Sequence, residues 1–380
     1  MDGSPMIPVF APYFTGRELE YLTRAVQTGW ISSAGPFLRE FEEEMAAEIG
    51  VRFAEACSSG TAALHLVLHA LGIGPGDEVI VPSQTFYATT AAVSYTGATP
   101  VFADILEDTW TLDPADCARK LSPRTRVVIP VDLFGLCADI PRLRATLAQA
   151  GRDDVFILED AAEAFGSALH GVRAGALGDS GIFSFYGNKT ITAGEGGMVT
   201  TSRPQLAERV RFLKNHAMSA TKRYFHPEVG FNYRMTNLQA AVGLAQLAGK
   251  DELFARKERI HARYRAALQG HRGIRLQAIP EGHAFMPWVT TVVDDALAGE
   301  EERDALLERL RRRGIDTRPM FYPNHLLPAF ANAPGALRGS LPITEAISFR
   351  GFGLPSGAGL TDAEIDRVLE TYLDERRHFA

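Results

Sequence analysis

Cysteine is scarce in this chain of 380 residues: it has three, Cys57, Cys117 and Cys137. They are odd in number, far apart and without a CxxC pair, which excludes a disulfide framework and argues against a zinc site. No other metal site is expected. His65 and His69 have the i, i+4 spacing of a zinc-binding helix, but Leu66 stands where that motif needs glutamate, so they read as core or interface histidines. Long apolar runs are missing too. None reaches the roughly 18 residues of a membrane-spanning helix. The N-terminal Met-Asp-Gly-Ser-Pro-Met has no basic stretch leading into an apolar run, so no signal peptide is expected. The expectation is a soluble, cytoplasmic protein. Nor is there an excess of positive charge. Lys plus Arg number 39 against 46 Asp plus Glu, a net charge of −7, which speaks against general binding to nucleic acid or anionic membranes. Repeats, low-complexity tracts and long charge blocks are also missing. With 46% hydrophobic and 22% charged residues, the chain can bury a large core without crosslinks.

What is present is an alternation of short apolar runs and helical stretches. Val79–Val81, Pro100–Phe102, Val127–Val131, Val155–Leu158, Ile182–Tyr186 and Met198–Thr200 read as buried strands, mostly rich in β-branched and aromatic residues. Residues 61–71 are apolar almost all round, as in a helix inside a large core, and 141–150 and 204–214 are one-sided helices. This alternation predicts an α/β fold with a mostly parallel sheet covered on both faces. From about residue 236 the character changes. A long helical stretch over 236–268, weak at Gly249, leads into a strand-like Trp288–Val293, a helix over 300–313 and a last helix over 361–377. A second, smaller α/β domain is expected, with the boundary near 240–250.

Two glycine-rich segments are false leads. Residues 72–77, Gly-Ile-Gly-Pro-Gly-Asp, follow a helix and precede a strand, the reverse of a dinucleotide-binding loop. Gly187-Asn188-Lys189-Thr190 resembles the end of a P-loop, but Asn188 separates the glycine from the lysine. Three other segments carry chemistry. Cys57-Ser58-Ser59-Gly60-Thr61 feeds a helix N-terminus, where free N–H groups and the helix dipole favour an anion. Val155 to Asp160 is a hydrophobic strand ending in two acids, and ligands of open α/β sheets bind beyond the carboxyl ends of strands. Phe183 to Lys189 brings a lysine off a strand into a glycine-rich turn. Taken singly, each has an ordinary explanation: a helix cap, a strand-end cap, a solvated lysine. Together they are the groups that pyridoxal 5′-phosphate requires: donors for its phosphate, a carboxylate for its ring nitrogen and a lysine for its aldehyde.

At this point the chain resembles the DegT/DnrJ/EryC1/StrS family of sugar aminotransferases, over about Pro8 to Asp366. The segments that carry the resemblance are Thr28–Ser33, Ser58–Leu64, Gly74–Ser83, Leu158–Ala164, Phe183–Gly197 and Gly230–Asn237. It implies a fold-type-I pyridoxal phosphate-dependent transferase, aspartate aminotransferase-like. A large cofactor-binding domain would span 1–245 and a small C-terminal domain 246–380. Lys189 would hold the cofactor and carry protons, and Asp160 would pair with the ring nitrogen. Gly60, Thr61 and Ser184 would hold the phosphate, joined by Asn232 of a neighbouring subunit, so a homodimer or larger assembly with shared active sites is implied. Phe86 would stack on the ring. Glu163, where many relatives have glutamine, would lie near the ring hydroxyl. Trp30, Ser32, Ser33, Tyr322 and His325 would line the substrate pocket. Arg234, Lys222, Arg223 and Arg318 would meet a diphosphate. The implied reaction moves the amino group of L-glutamate to the keto group, at C4, of a nucleotide-linked 4-keto-6-deoxyhexose. A cyclitol ketone or a 3-keto sugar nucleotide is the alternative acceptor.

Overall fold

The computed structural model describes residues 5–331 and 340–379. Residues 1–4, read above for a leader, lie outside them. The main sheet is built from β1 (Phe53–Cys57), β2 (Glu78–Pro82), β3 (Thr99–Ala103), β4 (Thr125–Val128), β5 (Phe156–Asp160), β8 (Ser180–Ser184) and β9 (Gly197–Thr201). Between β5 and β8 lie two short strands, β6 (Ala168–Leu169) and β7 (Val172–Arg173). The main sheet has the order β1-β9-β8-β5-β4-β2-β3. Pairings among β3, β2, β4, β5 and β8 are parallel, whereas β9 runs antiparallel to both its neighbours. The parallel strands are largely apolar at their centres because both faces are covered. On one face lies the helix Gly60–Ala70, buried nearly all round; Ser59 caps it by accepting the N–H of Ala62 at 3.1 Å.

Because β9 opposes both β1 and β8, those two strands run in the same direction. Gly197 faces Cys57 on one side and Ser184 on the other. The loop that follows β1 and the end of β8 are therefore neighbours at one edge. The end of β5 joins them, since Asp160 pairs with Ile182. Gly197 is needed at this crossing: a Cβ there would lie 2.3 Å from the carbonyl carbon of Ser59.

A second, antiparallel sheet, ordered β10-β12-β14-β13, contains β10 (Ile274–Leu276), β12 (Thr291–Asp294), β13 (Arg318–Pro319) and β14 (Gly351–Gly353). The remaining short strand, β11 (His283–Ala284), pairs instead with β6. The second sheet and the helices Lys250–Leu268, Glu300–Arg312 and Asp362–Glu375 enclose a separate core. Ile7 belongs to that core and bridges Ile315, so the N-terminal segment crosses to it.

Several elements depart from the sequence reading for identifiable reasons. The long 236–268 helix is two helices, Asn237–Ala248 and Lys250–Leu268, broken at Gly249, where a Cβ would lie 2.5 Å from the side chain of Thr15. The strand expected over 127–131 ends at Val128; Pro130 cannot donate to a ladder. The strand expected from Trp288 starts only at Thr291, because other partners take the backbone of Trp288. Its N–H donates to Phe134 O at 3.1 Å and its carbonyl accepts from Lys257 Nζ. The strand Phe53–Cys57 and the helices Glu18–Gln27, Pro36–Ile49, Tyr87–Tyr95 and Pro114–Lys120 carried no signal that the sequence reading used.

The crossing at Gly197 makes a stability test. Gly197→Ala drives a methyl into the backbone of Ser59 and should cost about 1–3 kcal/mol. A denaturation midpoint equal to wild type would show that the two strands can separate freely here.

Candidate active site

Three strand ends converge on one cavity of about 310 Å³. It is lined by Gly60, Thr61, Phe86, Asp160, Glu163, Ser184 and Lys189, seven of the eight expected cofactor residues. Gly60 and Thr61 are the first residues of their helix, so their N–H groups have no intrahelical partner. A Cβ at Gly60 would lie 3.0 Å from Cβ of Ser184, so loop and strand end meet as closely as glycine allows.

Asp160 lies at the carboxyl end of β5. Strand alternation separates it from Glu159, which points to the other face and accepts the N–H groups of Gly175, Leu177 and Gly178 at 2.6, 2.8 and 3.0 Å. Asp160 faces the cavity. It accepts Thr89 Oγ1 at 2.8 Å and the N–H of Ala162 at 3.2 Å. Burial pushes its carboxyl above the usual carboxylate range, against the opposing pull of the Thr89 and Ala162 bonds and the charge of Lys189. Thr89 was not foreseen: it comes from the helix Tyr87–Tyr95, where nothing in the sequence marks it.

Lys189 leaves β8 into the turn before β9, with its N–H bonded to Tyr186 O at 2.9 Å. Its Nζ lies 3.5 Å from Glu163 Oε1. Glu163 is buried, and burial raises its carboxyl although the Lys189 charge pulls it down. Its Oε2 accepts the N–H of Phe134 at 3.0 Å. Phe134 has φ of 60°, a left-handed conformation rare for a phenylalanine. On its other side, Lys189 Nζ is 4.2 Å from the ring centroid of Trp288. Trp288, also unforeseen, arrives from the chain's second half, and only folding places it here.

A larger cavity of about 720 Å³ adjoins and shares Tyr186, Asn188, Trp288 and Phe321 with the smaller one. Arg318 and Tyr322 line it. The other expected residues lie elsewhere. His325 lines neither of these cavities; its Nδ1 lies 2.6 Å from Ser83 Oγ and its Nε2 3.3 Å from Glu345. Trp30, half exposed, and Ser32 sit beside Ser33 in the turn before the helix Pro36–Ile49, where Asn237 binds the carbonyls of Trp30 and Ser32 at 2.7 and 2.6 Å. Asn232 lies outside both cavities of its own chain; its Oδ1 accepts Arg234 Nη2 at 2.7 Å. Arg234 also donates to Asn215 Oδ1 at 2.9 Å. Lys222 and Arg223 lie in an exposed loop, against Phe225 and Tyr224. His65, buried, and His69, half-buried, pack on Phe231 with ring centroids 4.8 and 5.1 Å away.

An anion-binding loop, a buried carboxylate at a strand end and a lysine facing one cavity on a mostly parallel sheet define the fold-type-I class of pyridoxal phosphate-dependent transferases. The residues fit the cofactor: free N–H donors for a phosphate, a buried acid short of compensation for a ring cation, a lysine amine, and Phe86 on the wall for a flat ring. The profile of the DegT/DnrJ/EryC1/StrS aminotransferase family matches residues 12–372, and the chain belongs to that family. It is 44% identical to the GDP-perosamine synthase of Caulobacter vibrioides over 97% of this chain and 98% of that one. It is 41% identical to the dTDP-3-amino-3,4,6-trideoxy-alpha-D-glucose transaminase of Streptomyces venezuelae, covering 88% and 86%. Among solved structures, Spr1654 of Streptococcus pneumoniae, assigned as a sugar aminotransferase and determined in its PLP form, superposes with a TM-score of 0.92 at 29% identity, covering 99% of this chain and 100% of that one.

The buried carboxyl gives a prediction for the cofactor-free protein. A carboxyl whose folded-state pKa is raised loses stability as pH rises through that value. Asp160→Asn removes the titrating group, so it should raise the stability of the cofactor-free protein at pH 7–8 by about 1 kcal/mol. The gain should shrink as pH falls into the carboxylate range. Equal or lower stability of the variant at pH 7–8 would mean that the Thr89 and Ala162 bonds already compensate the buried charge.

Proposed function

We propose that this protein is a pyridoxal phosphate-dependent aminotransferase that moves the amino group of L-glutamate to C4 of a nucleotide-linked 4-keto-6-deoxyhexose. The single observation that carries the reading is Lys189 and Asp160 facing one cavity that the Ser59–Thr61 loop also lines. The bound cofactor would supply an aldehyde to take up the amino group and a ring to accept the electron pair released at the substrate carbon. Asp160 would hold the ring nitrogen protonated by a charge-assisted hydrogen bond. Gly60, Thr61 and Ser184 would bind the phosphate with N–H and O–H donors. Phe86 would cover one face of the ring, and Glu163 would lie by the ring hydroxyl. Lys189 would hold the cofactor covalently, then act as the base whose Nζ takes a proton from the donor's α-carbon and gives it up again.

Asn232 makes no contact with the cavity of its own chain, which suits a residue serving a second subunit's phosphate. On this reading the working unit is a homodimer or larger. The acceptor's diphosphate needs cations, and Arg318 lies on the wall of the outer cavity. The 4-keto reading is supported by full-length similarity to a GDP-perosamine synthase. A 3-keto sugar nucleotide is the second reading, supported by the 41% identical Streptomyces enzyme.

Two measurements test this. With L-glutamate, GDP- or dTDP-4-keto-6-deoxyhexose should give a 4-amino sugar nucleotide by mass and NMR. The free sugar should react far more slowly, since it forfeits the diphosphate contacts. Lys189→Ala should lose multiple turnover. A 3-amino product, or a cyclitol ketone outpacing every nucleotide sugar, would replace the acceptor. For the assembly, mixing Lys189→Ala with an impaired Asn232→Ala should restore activity once subunit exchange is demonstrated, because one site of the mixed dimer is then intact. Proven exchange without rescue would place Asn232 in its own subunit.

A further inference from the structure

Trp288 is buried, with 5% of its surface exposed, and every handle on it is taken. Its Nε1–H donates to Asn188 O at 2.8 Å, the carbonyl next to Lys189. Its backbone N–H donates to Phe134 O at 3.1 Å. Its carbonyl accepts from Lys257 Nζ, which also donates to Ser356 O at 2.9 Å. Lys257 is fully buried, and burial alone pushes its ammonium down to about 7. The Trp288 ring lies near-parallel to Phe10 (centroids 5.2 Å apart, planes 16° apart) and to Phe134 (6.4 Å, 12°). This many restraints on one side chain is more than a cavity wall needs. Their result is specific: the ring face is turned to Lys189 Nζ, 4.2 Å from the centroid.

We propose that the indole face of Trp288 is a catalytic element of the transamination, stabilising the ammonium that Lys189 becomes when its amine has taken a proton from the amino donor's α-carbon. This rests on the reading of Lys189 as the proton-carrying base. In the step, the donor's C–H bond breaks and an N–H bond forms at Nζ. The electron pair stays on the substrate side and passes to the bound cofactor, and the proton leaves Nζ later in the same exchange, restoring the amine. A cation over an indole face is favoured by the ring quadrupole, most strongly where water is excluded. The charged groups around Nζ are Glu163 at 3.5 Å and Asp160 across the cavity, with Glu195 on its wall, and Lys257, which lines a small adjoining cavity with Lys189 and holds the Trp288 carbonyl. Glu163 is tied to the same unit through Phe134, so Nζ sits between a carboxylate and a π face.

The test keeps the shape and changes the ring's electrons. Mono-, di- and trifluorotryptophan placed at position 288 alone weaken the π face stepwise. In the protein loaded with pyridoxal phosphate, the pH midpoint of the visible band of the lysine-bound cofactor should fall progressively along the series. The total fall should be about half a pH unit. The half-reaction with L-glutamate should slow in parallel, with a larger isotope effect from α-deuterated glutamate. Trp288→Phe should stay within about threefold of wild type and Trp288→Leu should lose about tenfold in rate. A flat fluorination series, or equal losses in the phenylalanine and leucine variants, overturns the proposal and leaves Trp288 a wall. A wild-type protein that forms no visible band with pyridoxal phosphate overturns instead the functional reading beneath it.

Discussion

Asp160 is an ionisable group taken out of water at the end of a central strand, and the arrangement of the site follows from that constraint. A buried carboxyl is tolerable only with donors around it or a cation opposite. The protein supplies two donors, Thr89 and the N–H of Ala162, and still the acid is held above its usual range. A cationic ligand in the cavity would supply the remainder of the compensation. A site that is electrostatically incomplete by itself binds a cationic ring more strongly than one already satisfied, because the ring removes a penalty as well as adding a bond. The neighbouring Glu159 is also raised by burial, but it faces the scaffold and not the cavity. It is equally buried but takes three backbone N–H groups on the opposite face, and it belongs to the scaffold.

Sheet topology turns this local constraint into a site. The antiparallel β9, inserted between β1 and β8, makes those two strands run the same way and puts their carboxyl ends side by side. The anion loop after β1, Ser184 at the end of β8 and Asp160 at the end of β5 then share one rim, where ligands of α/β sheets bind. The turn that reverses the chain between β8 and β9 is also the segment that carries Lys189. One reversal therefore both sets the loop after β1 beside Ser184 and delivers the amine.

The second half of the chain closes the site. Trp288 and Phe321 reach its wall from residues beyond the main sheet, and the ring stack Phe10–Trp288–Phe134 ties the N-terminal segment, the main sheet and the second half together. The left-handed Phe134 is held within this stack and by Glu163. The aromatic unit therefore couples the lysine's surroundings to the joint between the two cores.

What was legible in the sequence was what local pattern controls. Short apolar runs marked β2 to β5, β8 and β9, because strands buried on both faces favour apolar, mostly β-branched and aromatic residues at their centres. The positions of the Ser59–Thr61 loop, Asp160 and Lys189 were legible because each sits at a strand or helix boundary that the local sequence itself specifies. Elements of mixed composition, such as β1 and the helix Tyr87–Tyr95, were not. The roles of Thr89 and Trp288 were also beyond reach, since nothing near them in the chain hints at a carboxylate or an amine. The placement of Arg234 on Asn232 and Asn215, and of His325 on Ser83 and Glu345, likewise came only from tertiary structure. The reason is physical. Secondary structure and strand-end chemistry depend on neighbours in sequence, whereas the surroundings that tune an acid or an amine come from whichever distant segments the topology brings within a few ångströms.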